Sequence, residues 1–143
     1  LTILLDARTS QNASTSGSIS SPIAAGTPVL FGQIGLVVTE ATSPIRTQLS
    51  GIISIQLPLL PLLTSVQVRI VRGTAPTDPL VFSAVYNLDL QILGPQSFTF
   101  NGSDINVPPP ASGQLTYTAF VSTNIVGAIR VGPESFNGIS FSG

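Results

Sequence analysis

The side chains able to carry chemistry in this sequence are few and stand apart. There are six carboxylates, Asp6, Glu40, Asp78, Asp89, Asp104 and Glu134, and five cations, all arginine: Arg8, Arg46, Arg69, Arg72 and Arg130. Histidine, cysteine and lysine do not occur, so neither a Ser-His-Asp or Cys-His relay nor a Ser-Lys pair can be built. A glycosidase-type pair would need two of the six isolated acids to converge. Asp78, Asp104 and Glu134 lie in or beside segments rich in Pro, Gly or Asn and read as solvated turn carboxylates. Asn101-Gly-Ser-Asp104 has too few acids for a tight hard-cation loop and also reads as a turn. Asn12-Ala-Ser14 and Asn101-Gly-Ser103 match the N-glycosylation acceptor pattern, which matters only in a host that uses it. The expectation is a protein that is no enzyme and holds neither cofactor nor metal.

Charge is scarce as well as scattered. Charged residues make up 8% of the chain and hydrophobic ones 43%, with a net charge of −1, against roughly 25% charged in an ordinary globular domain. With no basic cluster, the electrostatic footprint of nucleic-acid binding is missing. A near-neutral surface repels its own copies weakly and permits close packing of many subunits. The lack of thiol, thioether and indole groups removes the main targets of oxidation, which suits a long-lived extracellular material. The most apolar run, Leu57-Pro-Leu-Leu-Pro-Leu-Leu63, is too short to span a bilayer and contains two prolines, so membrane insertion is not expected. The first residue is Leu1 rather than methionine, the expectation for a processed or trimmed terminus.

Period-two alternation dominates the chain. In 45–57, Ile45, Thr47, Leu49, Ile53, Ile55 and Leu57 alternate with Arg46, Gln48, Ser50, Ser54 and Gln56. Residues 65–72 and 114–122 repeat the pattern, and further strands are expected near 29–39, 80–86, 88–93, 96–101, 126–131 and 135–142. Turn clusters fall at Thr39–Pro44, Gly73–Pro79, Gly94-Pro95, Asn101–Asp104, Pro108–Gly113 and Gly132-Pro133. Nine or ten short strands without a helical period predict an all-β, antiparallel two-sheet sandwich of jelly-roll or Greek-key type.

Two segments stand out. Thr2-Ile3-Leu4-Leu5 is a short apolar strand, followed after Asp6-Ala7-Arg8 by a polar tract from Thr9 to Ser18 with no large apolar side chain. Such a tract buries too little to offset its ordering entropy. The sequence thus divides into an N-terminal strand and flexible tether, 1–18, and a sandwich domain, 19–143. Thr2, Ile3, Leu4 and Leu5 are expected to add to a sheet edge of a neighbouring copy, the alternatives being a strand of their own sheet or a frayed tail. The second segment is the proline-punctuated 57–63, an edge or crossover. Buried under a loop it is ordinary core; exposed, its Leu59, Leu60, Leu62 and Leu63 form a patch that needs a partner.

Ser65-Val-Gln-Val-Arg-Ile-Val-Arg-Gly73, Leu80-Val-Phe-Ser83, Gln114-Leu-Thr-Tyr-Thr-Ala-Phe-Val121 and Gly132-Pro-Glu-Ser-Phe-Asn-Gly-Ile139 resemble strand and turn patterns of small exosporium proteins of Bacillus-type spores, the exosporium protein C-like group. The resemblance covers 65–139 and implies a jelly roll displayed on a spore or cell surface, without enzymatic activity. The chain has neither the cysteine nor the collagen-like repeat that covalent stapling or a stalk would require. The expected function is a structural subunit of an extracellular, non-covalent filament joined through its N-terminal strand. Its partners would be further copies of itself and an anchoring protein at the cell or spore surface. Alternatives are a trimeric recognition head of tumour-necrosis-factor or C1q type, and a viral capsid or fibre jelly roll.

Overall fold

The computed structural model describes residues 1–58 and 62–143, and these form ten strands and no helix. Eight strands are long: β1 (Ile3–Ala13), β3 (Val29–Val37), β4 (Ile45–Gln56), β5 (Ser65–Arg72), β6 (Leu80–Asn87), β7 (Gln96–Val107), β8 (Gln114–Thr123) and β10 (Glu134–Ser142). Two are short, β2 (Ser21–Pro22) and β9 (Ile129–Arg130). One sheet has the long strands in the order β1-β10-β4-β7, and β9 and β2 extend it beside the far end of β4. The other runs β3-β8-β5-β6. Every pairing between these strands is antiparallel. Among the long strands only β5 and β6 are consecutive within one sheet; all other connections cross between sheets. That order is a jelly roll.

Alternation explains the central strands. Ile45, Thr47, Leu49, Ile53 and Ile55 of β4 are buried, as are Val66, Val68 and Ile70 of β5 and Leu115, Tyr117, Ala119 and Val121 of β8. They meet across the sandwich in one core with Leu36, Phe100 and Phe136. Gly138 of β10 lies close to them, and a Cβ at that position would force the Ile34 Cδ1 methyl to shift.

The N-terminal segment departs from the tether expectation. Residues 3–13 are β1, paired along their length with β10 from Ile3↔Ser142 to Ala13↔Glu134. Leu5 sits at a register shift and packs against the core. Residues 9–13 of the polar tract are ordered by main-chain pairing with β10, and Asp6 and Ser10 reach the other sheet's edge. Asp6 Oδ2 accepts from Val37 N at 2.8 Å and Ser10 Oγ from Gln33 N at 3.4 Å. Hydroxyl and carboxylate thus occupy donors of β3 that would otherwise be an open edge. The opposite seam, between β6 and β7, is aromatic: Tyr86 and Phe98 have ring centroids 4.8 Å apart, and Tyr86 Oη donates to Thr99 O.

Three smaller expectations also change. Residues 88–93 are a turn-bearing connection, and of 126–131 only Ile129–Arg130 is strand. Asn101–Asp104 is neither turn nor cation loop but the middle of β7, in register with β4 from Ser50↔Asn101 to Thr47↔Asp104.

Candidate interaction surface

The jelly roll has two unlike ends. One, the loop end, gathers 14–28, 57–58, 62–64, 88–95 and 124–133; the other, the terminal end, gathers both termini with 38–44, 73–79 and 108–113. At the loop end three connections interlock. Leu88 N donates to Thr64 O at 2.9 Å, Asn124 Nδ2 to Leu63 O at 3.2 Å, and Ser65 N to Asn124 Oδ1 at 2.8 Å. Gln96 braces the 88–95 loop, donating from Nε2 to Asp89 O and accepting at Oε1 from Asp89 N, each at 2.8 Å.

These braced loops turn apolar side chains outward. Leu93 is 90% exposed, Leu63 78% and Val126 72%, and Leu62 and Ile92 are also exposed. Beside them Leu63, Leu88 and Asn124 help line a shallow depression of about 500 Å³. Among the described residues, Asp89 is the only charge exposed at this end. Arg130 and Glu134 are also here but buried: Arg130 Nε donates to Glu134 Oε2 at 3.0 Å, Nη2 pairs with Oε1, and Asn12 Nδ2 donates to Oε1 at 2.6 Å. Glu134 is therefore a latch between β1, β9 and β10 rather than a solvated turn acid, and Asn12 is engaged as its partner.

The terminal end mixes charge with exposed apolar side chains, among them Leu1, Leu4, Leu80 and Ile105. Glu40 and Arg46 are exposed there, and Asp78 ties its own turn by accepting from Thr74 N and Ala75 N at 2.8 Å. Asp104 is buried, correcting its reading as a turn carboxylate. It accepts from Arg72 Nε and Nη2 at 2.7 Å each and from Tyr117 Oη at 2.8 Å. This bidentate contact raises the Arg72 pKa, and burial pushes the Tyr117 phenol well above its ordinary value.

The expected contact residues divide between the two ends. Thr2, Ile3 and Leu4 lie exposed at the terminal end, whereas Leu5 is partly buried in its own domain. Leu62 and Leu63 stand at the loop end; Leu59 and Leu60 lie outside the described residues. Sequence reasoning missed Ile92, Leu93 and Val126 because alternation placed them in strands. The Gly94-Pro95 pair directly after Leu93 was the available signal that the chain turns there. Among the described residues, no three metal-ligating side chains gather, and no helix is long and apolar enough to cross a membrane.

No family model and no curated protein matches the sequence. Solved structures with a similar arrangement include the VP2 protein of infectious bursal disease virus, at 12% identity and a TM-score of 0.46, over 95% of this chain and 39% of that one. Tailspike protein 4 of bacteriophage CBA120 matches at 14% identity and 0.38, over 94% and 18%. The naturally occurring empty particle of cowpea mosaic virus matches at 10% and 0.31, over 90% and 87%. The chain thus spans about two fifths of the VP2 protein and under a fifth of the tailspike. The jelly-roll assignment rests on the strand order itself.

Proposed function

We propose that this protein is a structural subunit that joins copies of itself, without covalent bonds, through the loop end of its jelly roll. The observation that carries the reading is the cluster Leu62, Leu63, Ile92, Leu93 and Val126, exposed together on interlocked loops. Fully burying such a side chain contributes about 1.5–3 kcal/mol. Two copies supply two such sets against an association cost of roughly 4–15 kcal/mol. The charge pattern favours a second copy as the occupant: the face that covers this end must be as neutral and apolar as the end itself, and the copy has such a face. Loops already braced by Gln96 and Asn124 lose little freedom on docking.

A joint of this kind is two-fold and closes on itself. A filament needs a second joint, for which exposed Leu1, Leu4 and Ile105 supply apolar contact at the terminal end. Subunits would then alternate loop end to loop end and terminus to terminus. Since β1 is already paired with β10, strand donation is not needed to build such a polymer. The thiol-free, charge-poor surface suits an extracellular place on a cell or spore.

Electron microscopy of the concentrated protein tests the reading. Filaments that vanish in the Leu63→Asp, Leu93→Asp double variant are the expected result. Closed shells would replace the filament by a capsid-like assembly, and discrete trimers would favour a recognition head. Isolated single domains at every concentration would overturn the proposal.

A further inference from the structure

The outer face of the β1-β10-β4-β7 sheet carries a second surface of different chemistry. In register across three strands stand Asn137, Ser50 and Asn101, and in the next outward row Ile139, Gln48 and Ser103. These residues line an open furrow of about 380 Å³. It continues past Gln48 and Ser103 into a second hollow of about 300 Å³ beside Phe141 and Ile105.

Three properties of the furrow act together. First, its polar groups are amides and hydroxyls; no carboxylate lines either hollow, and the only charge is Arg46 at the far end. Second, among the described residues none of the side chains of Gln48, Ser50, Asn101, Ser103 and Asn137 makes an intramolecular hydrogen bond, whereas on the other sheet two amides are tied to hydroxyls. There Gln33 Nε2 donates to Thr118 Oγ1 at 2.9 Å and Gln67 Nε2 to Ser83 Oγ at 3.1 Å. Third, small Ser50 lies between the two asparagines, so the amides flank a trough rather than fill it. Each amide offers an acceptor and two donors, and each hydroxyl offers both functions. Adjacent ligand hydroxyls, which also both donate and accept, are the natural complement, and Ile139 provides an apolar strip for a ligand's C–H face.

The geometry points to this furrow as a binding site for a neutral oligosaccharide. The distance along β4 from Ser50 to Arg46, about 14 Å at the rise of an antiparallel strand, accommodates a short run of sugar units. An anionic polymer would meet one arginine and no cluster, so polyanions are disfavoured. The site is independent of the loop end, and a sugar-binding subunit works whether or not it polymerises.

Titration calorimetry with the intact protein, using hexamers of glucose in α-1,4, β-1,4 and β-1,3 linkage and of N-acetylglucosamine, tests the inference, with heparin as the charged probe. At least one neutral hexamer is expected to bind. Asn101→Ala with Asn137→Ala is expected to weaken it about tenfold or more, while Gln67→Ala on the opposite sheet leaves it unchanged. Thermal melting of each variant separates lost binding from lost fold, and Ser50→Gln, which fills the trough, serves if the double variant unfolds. No binding of any neutral hexamer at millimolar concentration, binding of heparin alone, or binding indifferent to variants that stay folded would each overturn it.

Discussion

The two ends of this jelly roll solve the same problem, pairing an arginine with a buried carboxylate, with opposite consequences for the surface above. At the loop end Arg130 and Glu134 are both buried, and the tips over them are almost free of charge. At the terminal end Arg72 keeps about a third of its side chain in water while Asp104 is buried with Tyr117, and Glu40 and Arg46 remain exposed nearby. Scarce charge is thus spent inside the loop end and outside at the terminal end. An end with Asp89 as its one exposed charge among the described residues, and with leucines held out on braced loops, is built to be covered; an end that keeps charge among its exposed apolar side chains tolerates water. Exposed apolar side chains occur at both poles; what sets the loop end apart is that, among the described residues, Asp89 is the one exposed charge beside them.

The comparison can be broken most forcefully at the ion pairs. Arg130→Ala leaves Glu134 buried with only Asn12 as side-chain partner and is expected to cost about 3–5 kcal/mol, read by denaturant unfolding. Arg72→Ala is expected to cost less, because solvent already reaches that pair and screens it. Equal losses would erase the contrast between a sealed end and a wetted one.

The smallest expected effect concerns the polar seam between β1 and β3. The Val37 amide and then Arg8 hold the Asp6 carboxyl below its ordinary value of 3.8. A lowered folded-state pKa gives stability that is complete above about pH 3.8 and is lost as pH falls through the folded value. Asp6→Asn is therefore expected to cost up to about 1 kcal/mol at neutral pH and to flatten the acid limb of the stability profile. An unchanged acid limb would show that the seam is held by the β1–β10 pairing alone.

Much of this architecture was readable from the chain. The first half of β4 and most of β5 alternate because one face meets the core, whereas β8 is buried on both faces over 117–121. β1 hid its nature, since Thr9, Ser10, Gln11 and Asn12 bury almost nothing; a strand held by main-chain pairing, with side chains capping a neighbouring edge, leaves no apolar rhythm. In β7 the Asn101-Gly-Ser stretch imitated a turn, yet there the outward face is wet and an inward Gly102 makes room for Phe82. Asp104 and Glu134 looked solvated because their arginine partners, Arg72 and Arg130, could not be assigned without knowing the sheet order. The loop-end leucines were half legible: 57–63 announced itself by prolines, whereas Ile92, Leu93 and Val126 joined it only once the connections came together in space.

Sedimentation equilibrium from micromolar to near-millimolar concentration, on the wild type and on Leu63→Asp with Leu93→Asp, probes the loop end most directly. The wild-type mass is expected to rise with concentration while the variant stays monomeric, with unfolding stability within about 0.5 kcal/mol of wild type as befits exposed positions. A wild-type chain that stays monomeric throughout, or a variant that associates equally well, would contradict the claim that this end is where copies meet.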